Sequence, residues 1–405
     1  MDYLYEIYYK ERDKNAYEAV YNGRYNNEFA IKTPLQIETK NKEKYNLFLN
    51  LTPSILHSLN NIRMNEDKLK SLGDNLPAVA KRRFFLDVII DELKSSNDLE
   101  GVASTKKELF ETSKKTAVKR NESRFGSMIT EYMSLLDGHI EPPKSPQDIR
   151  NIYDLITAGE ITEDELPDGE IFRKDAAIVT NDKSFDGSFI HQGVVPEAAI
   201  IQLISDLVHY MNEQSELTNI IKIAITHYYF GYIHPFYDGN GRTGRFISSL
   251  YMTENYYVLT SMAIARGCYR NRNRYLKAFD MTNNKISKGE MNYFVDTFLE
   301  TIKIGQEDII ALLELKQGQI NVARDIINAD GRLDDDLQRE IIFVLAQDYY
   351  FSIETGVTQQ ELQQILGVGY TKLVGFMDRL IELDIVKVIK LRPRTFMINA
   401  DYMEL

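Results

Sequence analysis

The chain has a single cysteine, Cys268, among its 405 residues. No disulfide can form within it, and a reducing compartment is expected. No run of about 18 apolar residues occurs, which argues against a helical membrane span. The first residues, MDYLYEIYYKERDKN, are acidic, aromatic and polar. They lack the basic start and apolar stretch of a secretory leader. Together these absences predict a cytoplasmic protein with no membrane partner. A basic surplus is missing too: 48 Lys and Arg stand against 60 Asp and Glu, a formal charge of −12. That balance disfavours unspecific binding to a phosphate backbone. Prolines are few, and with 43% hydrophobic and 27% charged residues the composition is that of a folded chain, not a disordered one. There is no internal repeat, no low-complexity tract and no metal-ligand spacing such as His-Glu-x-x-His. His57, His191, His209 and His227 are therefore read as structural or surface residues.

What is present is helical periodicity. Ala78–Leu93 puts Val79, Phe84, Phe85, Val88, Ile89 and Leu93 near one face, and Ala198–Met211 and Leu217–Tyr232 repeat the pattern. Met291–Leu315 reads as a long helix interrupted near Gly305. Strand signals are few: AAIVT at 176–180 and FIHQGVV at 189–195 flank a turn-rich NDKSFDGS, which predicts a β-hairpin. At roughly 150 residues per domain, the length suits two to three domains. Residues 1–75 are tyrosine-rich and their pattern defines no fold. A core over 76–327 follows, then an acidic, turn-rich boundary at 328–336, then a module over 335–405. In that module Thr358 to Glu361 form a capping box, and helix, glycine turn, helix and β-ribbon succeed one another, as in a winged helix-turn-helix. The fold class expected is mainly α, with a helical core, a small β-hairpin and this C-terminal module.

The segment that carries chemistry is HPFYDGNGRTGR, His234 to Arg245. Pro235 forbids simple continuation of the preceding helix. Gly239 and Gly241 flank Asn240 just before a new helix starts, and glycines there let backbone N–H groups converge on an anion. Arg242 and Arg245 add permanent cations with forked donors at the same end. Asp238 offers a hard oxygen suited to Mg2+, and His234 can take a proton near neutral pH. A base, a metal ligand, an anion nest and two arginines are the parts that phosphoryl or nucleotidyl transfer needs.

This segment resembles the Fic motif: His, any residue, Phe, any, Asp or Glu, Gly, Asn, Gly, Arg, any, any, Arg. Every fixed position is met. The resemblance implies that His234 is the general base toward a target hydroxyl, that Phe236 anchors the loop, and that Asp238 holds Mg2+. It further implies that Gly239, Asn240, Gly241 and Arg242, with Thr243 and Gly244 beside them, bind the phosphates of ATP, and that Arg245 orients the γ-phosphate. Members of the family mostly transfer AMP to Ser, Thr or Tyr of a protein. Upstream, Ser96-Asn97-Asp98-Leu99-Glu100-Gly101 resembles the family's inhibitory motif of Ser or Thr, three residues, Glu, then Gly or Asn. By that likeness an inhibitory helix at about 95–110 would place Glu100 on Arg245, with Ser96 in the same motif; Leu99 stands where Ile is usual. The hairpin at 176–195, preceded by Arg173, sits where the family keeps a flap that aligns the target peptide, though an ordinary surface hairpin fits as well. Tyr275 falls in the region that shapes the family's adenosine pocket, and fits a core aromatic equally.

The likeness covers roughly Leu86 to Ile302. It implies a protein adenylyltransferase with ATP as substrate, a protein target bearing an accessible hydroxyl, self-modification on one of the tyrosines, and a homo-oligomer. Two alternatives remain at this point. One is a DNA-binding regulator with a sensor core, weakly supported because Lys372 and Arg379 on the second module helix face Asp378, Glu382 and Asp384. The other is an enzyme that removes AMP with the same residues.

Overall fold

A computed structural model of the chain describes residues 2–39, 42–116, 124–138, 140–180, 189–214 and 217–404. Two compact units emerge: Met1–Asp67 with Ile89–Glu307, and Lys68–Val88 with Asp308–Leu405. The divisions fall inside helices, away from the acidic stretch at 328–336.

The tyrosine-rich start holds α1 (Leu4–Lys10) and α2 (Lys14–Tyr25), then an antiparallel hairpin of β1 (Ala30–Glu38) and β2 (Lys44–Asn50). Its pattern resists reading because both faces of β2 are covered. Leu47 and Leu49 join the main core, while Phe48 between them packs with Leu4 and Tyr17. Tyr21 and Tyr25 meet Phe48 edge-on. Alternation is lost where neither face sees water.

Helices α3 (Pro53–Asp74) and α4 (Ala78–Leu99) follow, then α5 (Lys106–Thr116), α6 (Gly126–Asp137) and α7 (Pro146–Ile156). Ser145 caps α7 by accepting the Asp148 N–H, with Pro146 in its first turn, and Ile149, Tyr153 and Ile156 form its buried stripe. Strands β3 (Ile178–Thr180) and β4 (Phe189–Gln192) pair antiparallel, as the hairpin signal predicts; the Asp-Gly turn lies outside the described residues. Next come α8 (Glu197–Asn212), α9 (Asn219–Ile233) and α10 (Asn240–Thr253). Nearly every residue of α9 and α10 is buried, so these two helices are the centre of the unit. Short helices α11 (Val258–Ser261), α12 (Ile264–Arg270) and α13 (Arg272–Asn283) lead into α14 (Asn292–Ala329).

Helix α14 runs unbroken through Gly305, against the interruption expected there. The glycine serves close packing instead. A Cβ on Gly305 would lie 2.1 Å from the Ala263 carbonyl oxygen, and one on Gly267 would lie 2.0 Å from that of Thr301. These glycines let α12 and α14 approach backbone to backbone.

In the second unit α15 (Asp336–Phe351) is followed by β5 (Val357–Thr358), α16 (Gln359–Leu366), α17 (Tyr370–Glu382), β6 (Val386–Leu391), β7 (Arg394–Ile398) and α18 (Ala400–Met403). The strands form one sheet in the order β5-β7-β6. Thr358 and Glu361 make the capping box read from sequence, and Gly367, at φ 64°, ends α16. Buried Asp348 gathers Arg83 Nε, Ser352 Oγ and the Gly356 N–H, which fixes the loop before β5. Among the described residues no helix is long and apolar enough to cross a membrane.

Alanine normally improves a helix over glycine by up to about 1 kcal/mol. At Gly305 the carbonyl in its path belongs to backbone and cannot yield, so Gly305→Ala should destabilise by about 1–3 kcal/mol. Urea denaturation of the full chain measures this; a stabilised variant would refute the packing role.

Candidate active site at the start of α10

His234 ends α9 in the left-handed region, at φ 53° and ψ 62°, with its N–H donating to Phe230 O at 2.9 Å. A non-glycine residue held there stores strain of order 1–2 kcal/mol. The surroundings enforce it. Arg173 is fully buried, and its Nε donates to the His234 carbonyl at 2.8 Å while Nη2 donates to Val194 O at 2.9 Å. The Val194 N–H donates to Ile233 O at 3.0 Å, so the chain leaving β4 is tied beside His234. Gly193 permits this approach, since a Cβ there would lie 2.2 Å from Arg173 Nη2. Burial, aided by the nearby charges of His191 and Arg173, pushes the His234 imidazole down to about 3. At neutral pH it is therefore unprotonated.

The loop after His234 is braced at two points. Phe236, fully buried, stacks on Tyr153 with ring centroids 3.7 Å apart and planes at 13°. Asn240 closes the loop on itself, its Oδ1 accepting from the Phe236 N–H at 3.0 Å and its Nδ2 donating to Phe236 O at 2.8 Å. Gly239 precedes α10 at φ 77°, and a Cβ there would meet Thr157 Cγ2 at 2.7 Å. The first N–H groups of α10 have no acceptor within the helix, an arrangement that favours an anion there. Asp238 lies beside it, its side chain 43% exposed.

Both arginines expected to meet phosphates are buried and engaged by carboxylates. Arg245 Nη2 is 2.7 Å from Glu100 Oε1. It also donates to Ser96 O, and its Nε donates to Ser96 Oγ, both at 3.0 Å. Burial works against the Arg245 charge, but the Glu100 carboxylate, together with Tyr275 and Cys268, outweighs it and holds the guanidinium above its usual range. Gly241 completes the contact: a Cβ there would lie 2.0 Å from Glu100 Oε1. Helix α4 supplies this partner from one face, since Glu92, Ser96 and Glu100 follow at intervals of four. Glu92, fully buried, accepts the N–H groups of Ala265 and Arg266 at 2.6 and 3.0 Å; burial pushes its carboxyl up to about 7. Residues 95–110 are not one helix. Helix α4 stops at Leu99 because Gly101, at φ 75°, turns the chain before α5. Arg242 Nη1 is 2.5 Å from Glu160 Oε2, and its Nη2 is 3.5 Å from Asp238 Oδ2.

Tyr275 lies in the core, 4% exposed. Its hydroxyl is 2.7 Å from His227 Nε2, and His227 Nδ1 is 2.8 Å from Ser248 Oγ. Ser248 spends its hydrogen on Gly244 O at 2.8 Å, so it accepts from Nδ1, and the tyrosine hydroxyl donates to Nε2. The same hydroxyl faces Arg245 and the buried Cys268 thiol. Burial pushes Cys268 up to about 12, which leaves it unreactive. The structure thus brings together His234, Asp238 to Arg245, Ser96 and Glu100, and it sets Tyr275 behind Arg245. Sequence reading passes over Glu160 and reads His227 only as a structural or surface residue; their partners lie 82 and 48 residues away, and no local spacing marks the pairing.

Residues 143–252 match the Fic/DOC family. Over 83 residues the chain is 31% identical to a probable protein adenylyltransferase, aq_aa38, of Aquifex aeolicus, covering 20% of this chain and 24% of the relative. Over 61 residues it is 46% identical to protein adenylyltransferase fic-1 of Caenorhabditis elegans, covering 15% and 12%. The chain thus matches about a quarter or less of the length of these relatives. Among solved structures, a Fic family protein from Desulfovibrio desulfuricans G20 superposes over 87% of this chain and 97% of its own, with a TM-score of 0.53 at 16% identity, a likeness of fold.

Folding keeps His227 neutral down to about pH 3, whereas a histidine in an unfolded chain takes a proton near 6.5. The unfolded state therefore binds one more proton between these values, and stability present above pH 6.5 is lost as pH falls. His227→Gln removes this linkage. Between pH 6 and 4 its unfolding free energy should fall less steeply than that of the wild type, by about 1.4 kcal/mol per pH unit. Urea titrations at three pH values measure the slopes; identical slopes would mean that the folded protein already protonates His227.

Proposed function

Because residues 143–252 make up a Fic/DOC-family domain, we propose that the chain is a protein adenylyltransferase that moves AMP from ATP to a Ser, Thr or Tyr hydroxyl of a protein and is held off by Glu100. The observation that carries this reading is the pairing, at the start of α10, of a neutral His234 with a buried guanidinium, Arg245, that a carboxylate meets at 2.7 Å.

In the proposed reaction His234 takes the proton of the target hydroxyl. The oxygen attacks the α-phosphorus, the bond to the bridging oxygen of the β-phosphate breaks, and pyrophosphate leaves. The N–H groups around Gly239 to Arg242 and the α10 dipole stabilise the charge that develops. A half-exposed Asp238 carboxylate, only loosely held at 3.5 Å from Arg242, fits the demand of Mg2+ for an oxygen ligand that can turn toward bound phosphates. Mg2+ would supply charge neutralisation of the phosphate chain. β4, tied beside His234, offers a strand edge on which an extended target segment can register its hydroxyl. Glu100 competes with the γ-phosphate for Arg245: a carboxylate and a phosphate cannot share one buried fork. The second unit supplies none of these groups. Its β5-α16-α17-β6-β7 order is read as a winged helix, with a docking role.

Incubation with α-labelled ATP and Mg2+, alone and with cell lysate, tests the proposal. Glu100→Gly should raise protein labelling at least tenfold over the wild type, the loss of a charge-assisted contact of about 1.5–3 kcal/mol. His234→Ala in that background should lower it by a factor of about 10²–10⁴ while leaving the folding transition in place. Labelling by the wild type equal to that by Glu100→Gly would sink the inhibitory role. Label that persists without His234 would sink the base assignment.

A further inference from the structure

Arg242 is as buried as Arg245, but its partners differ. Its carboxylate partner, Glu160, lies in the turn that follows α7. The side chains of Arg242 and Glu160 retain 1% and 3% of their exposure, and they meet at 2.5 Å. Asp238 approaches the same guanidinium from the other side at 3.5 Å. Two carboxylates thus face Arg242, and Arg124 is a second cation near Glu160. Two polar atoms of the pair, Arg242 Nε and Glu160 Oε1, are buried with no hydrogen-bond partner. Structural ion pairs in a protein interior ordinarily fill such positions, because each orphaned atom is costly. Here the pair leaves a donor and an acceptor without partners beside the start of α10.

Glu160 is carried by a tight turn. Gly159 has a left-handed φ of 77°, and the Glu160 N–H donates to Thr157 O at 3.1 Å. Thr157 in turn touches the Gly239 position, where a Cβ would meet its Cγ2 at 2.7 Å. Glu160 is therefore mounted on the residues that border the phosphate nest.

We infer that Glu160 is a specificity-determining residue of this nest: its carboxylate competes with the diphosphate group of the nucleotide for Arg242 and yields it when a nucleoside diphosphate or triphosphate binds. The inference rests on the reading of the loop as an ATP site. It differs from the role proposed for Glu100, which concerns another arginine and the γ-phosphate alone. A dinegative diphosphate entering beside Arg242 meets Glu160 and Asp238 as like charges, so affinity for the phosphate chain is set by how readily Glu160 lets go.

ADP lacks a γ-phosphate and isolates this contact. Glu160→Gln keeps the shape and an acceptor for Arg242 but removes the competing charge. Titration calorimetry of the full chain with ADP and Mg2+ should give a dissociation constant about tenfold lower for Glu160→Gln than for the wild type. An equal or weaker affinity would overturn the inference and leave Glu160 as a residue that orients Arg242. Absence of ADP binding in both proteins would overturn the nucleotide-site reading itself, a different result. The wild type supplies a second measurement that does not depend on the variant folding. On saturation with ADP, amide hydrogen exchange at residues 158–162 should quicken as Glu160 leaves Arg242; unchanged or slower exchange there would overturn the proposal.

Discussion

The burial of Arg245 is the constraint around which the site is built. A guanidinium with 1% of its side chain exposed must find its partners inside the protein, because an unpaired buried charge costs several kcal/mol. Each neighbour follows from that need. Ser96 gives two acceptors, Glu100 gives a carboxylate, and the Tyr275 hydroxyl stands behind, oriented through His227 and Ser248. Gly241 clears the path for Glu100, and Gly101 ends α4 so that Glu100 falls at its tip. Helix α4 is fixed in depth by Glu92, which caps the start of α12. One cation thus ties α4, α10, α12 and α13 into a single arrangement.

Arg242 and Arg245 lie three residues apart on α10, so they project from neighbouring parts of one face. Each is met by a carboxylate from an earlier part of the chain, Glu160 and Glu100. The electrostatic result is a site whose cations are compensated before any ligand arrives. A polyphosphate gains from these arginines only the difference between its own contacts and those it displaces. On the proposed reading, affinity would depend on how readily these two carboxylates are displaced more than on the number of positive charges.

The part of this arrangement legible in the sequence is the part that is local. His234 to Arg245 could be read because a helix end, a glycine turn and a helix start all fall within twelve consecutive residues. Ser96 and Glu100 could be read because one helical turn separates them and a glycine follows. Glu160 could not, since it stands in an acidic, turn-rich segment that looks like solvent-facing loop, and only the folded chain delivers it to Arg242. His227 was taken as structural from the lack of metal spacing; its place in a relay toward Arg245 depends on Tyr275, whose ring two sequence readings fitted equally well. Gly305 failed as a helix breaker for a similar reason. Its local cost is about 1 kcal/mol, and the close approach of α12, invisible in one dimension, outweighs it.

The two sides of the Glu100 contact differ in stiffness, and that decides which of them yields if a γ-phosphate is to reach Arg245. The α10 side is over-determined. Phe236 is stacked on Tyr153, Asn240 is hydrogen-bonded twice to the Phe236 backbone, and the His234 carbonyl is gripped by Arg173. Moving that loop would break all of these together. Glu100 sits one residue beyond the last turn of α4, in a residue open to solvent, before a glycine in the left-handed region. Ser96, four residues earlier and fully buried, keeps its grip on Arg245 when Glu100 swings away. The Ser96 contacts can hold the arginine without the carboxylate, and release would need only rotation of one side chain. A contact built this way, if it inhibits as proposed, is one that can be lifted without disturbing the loop that leads into α10.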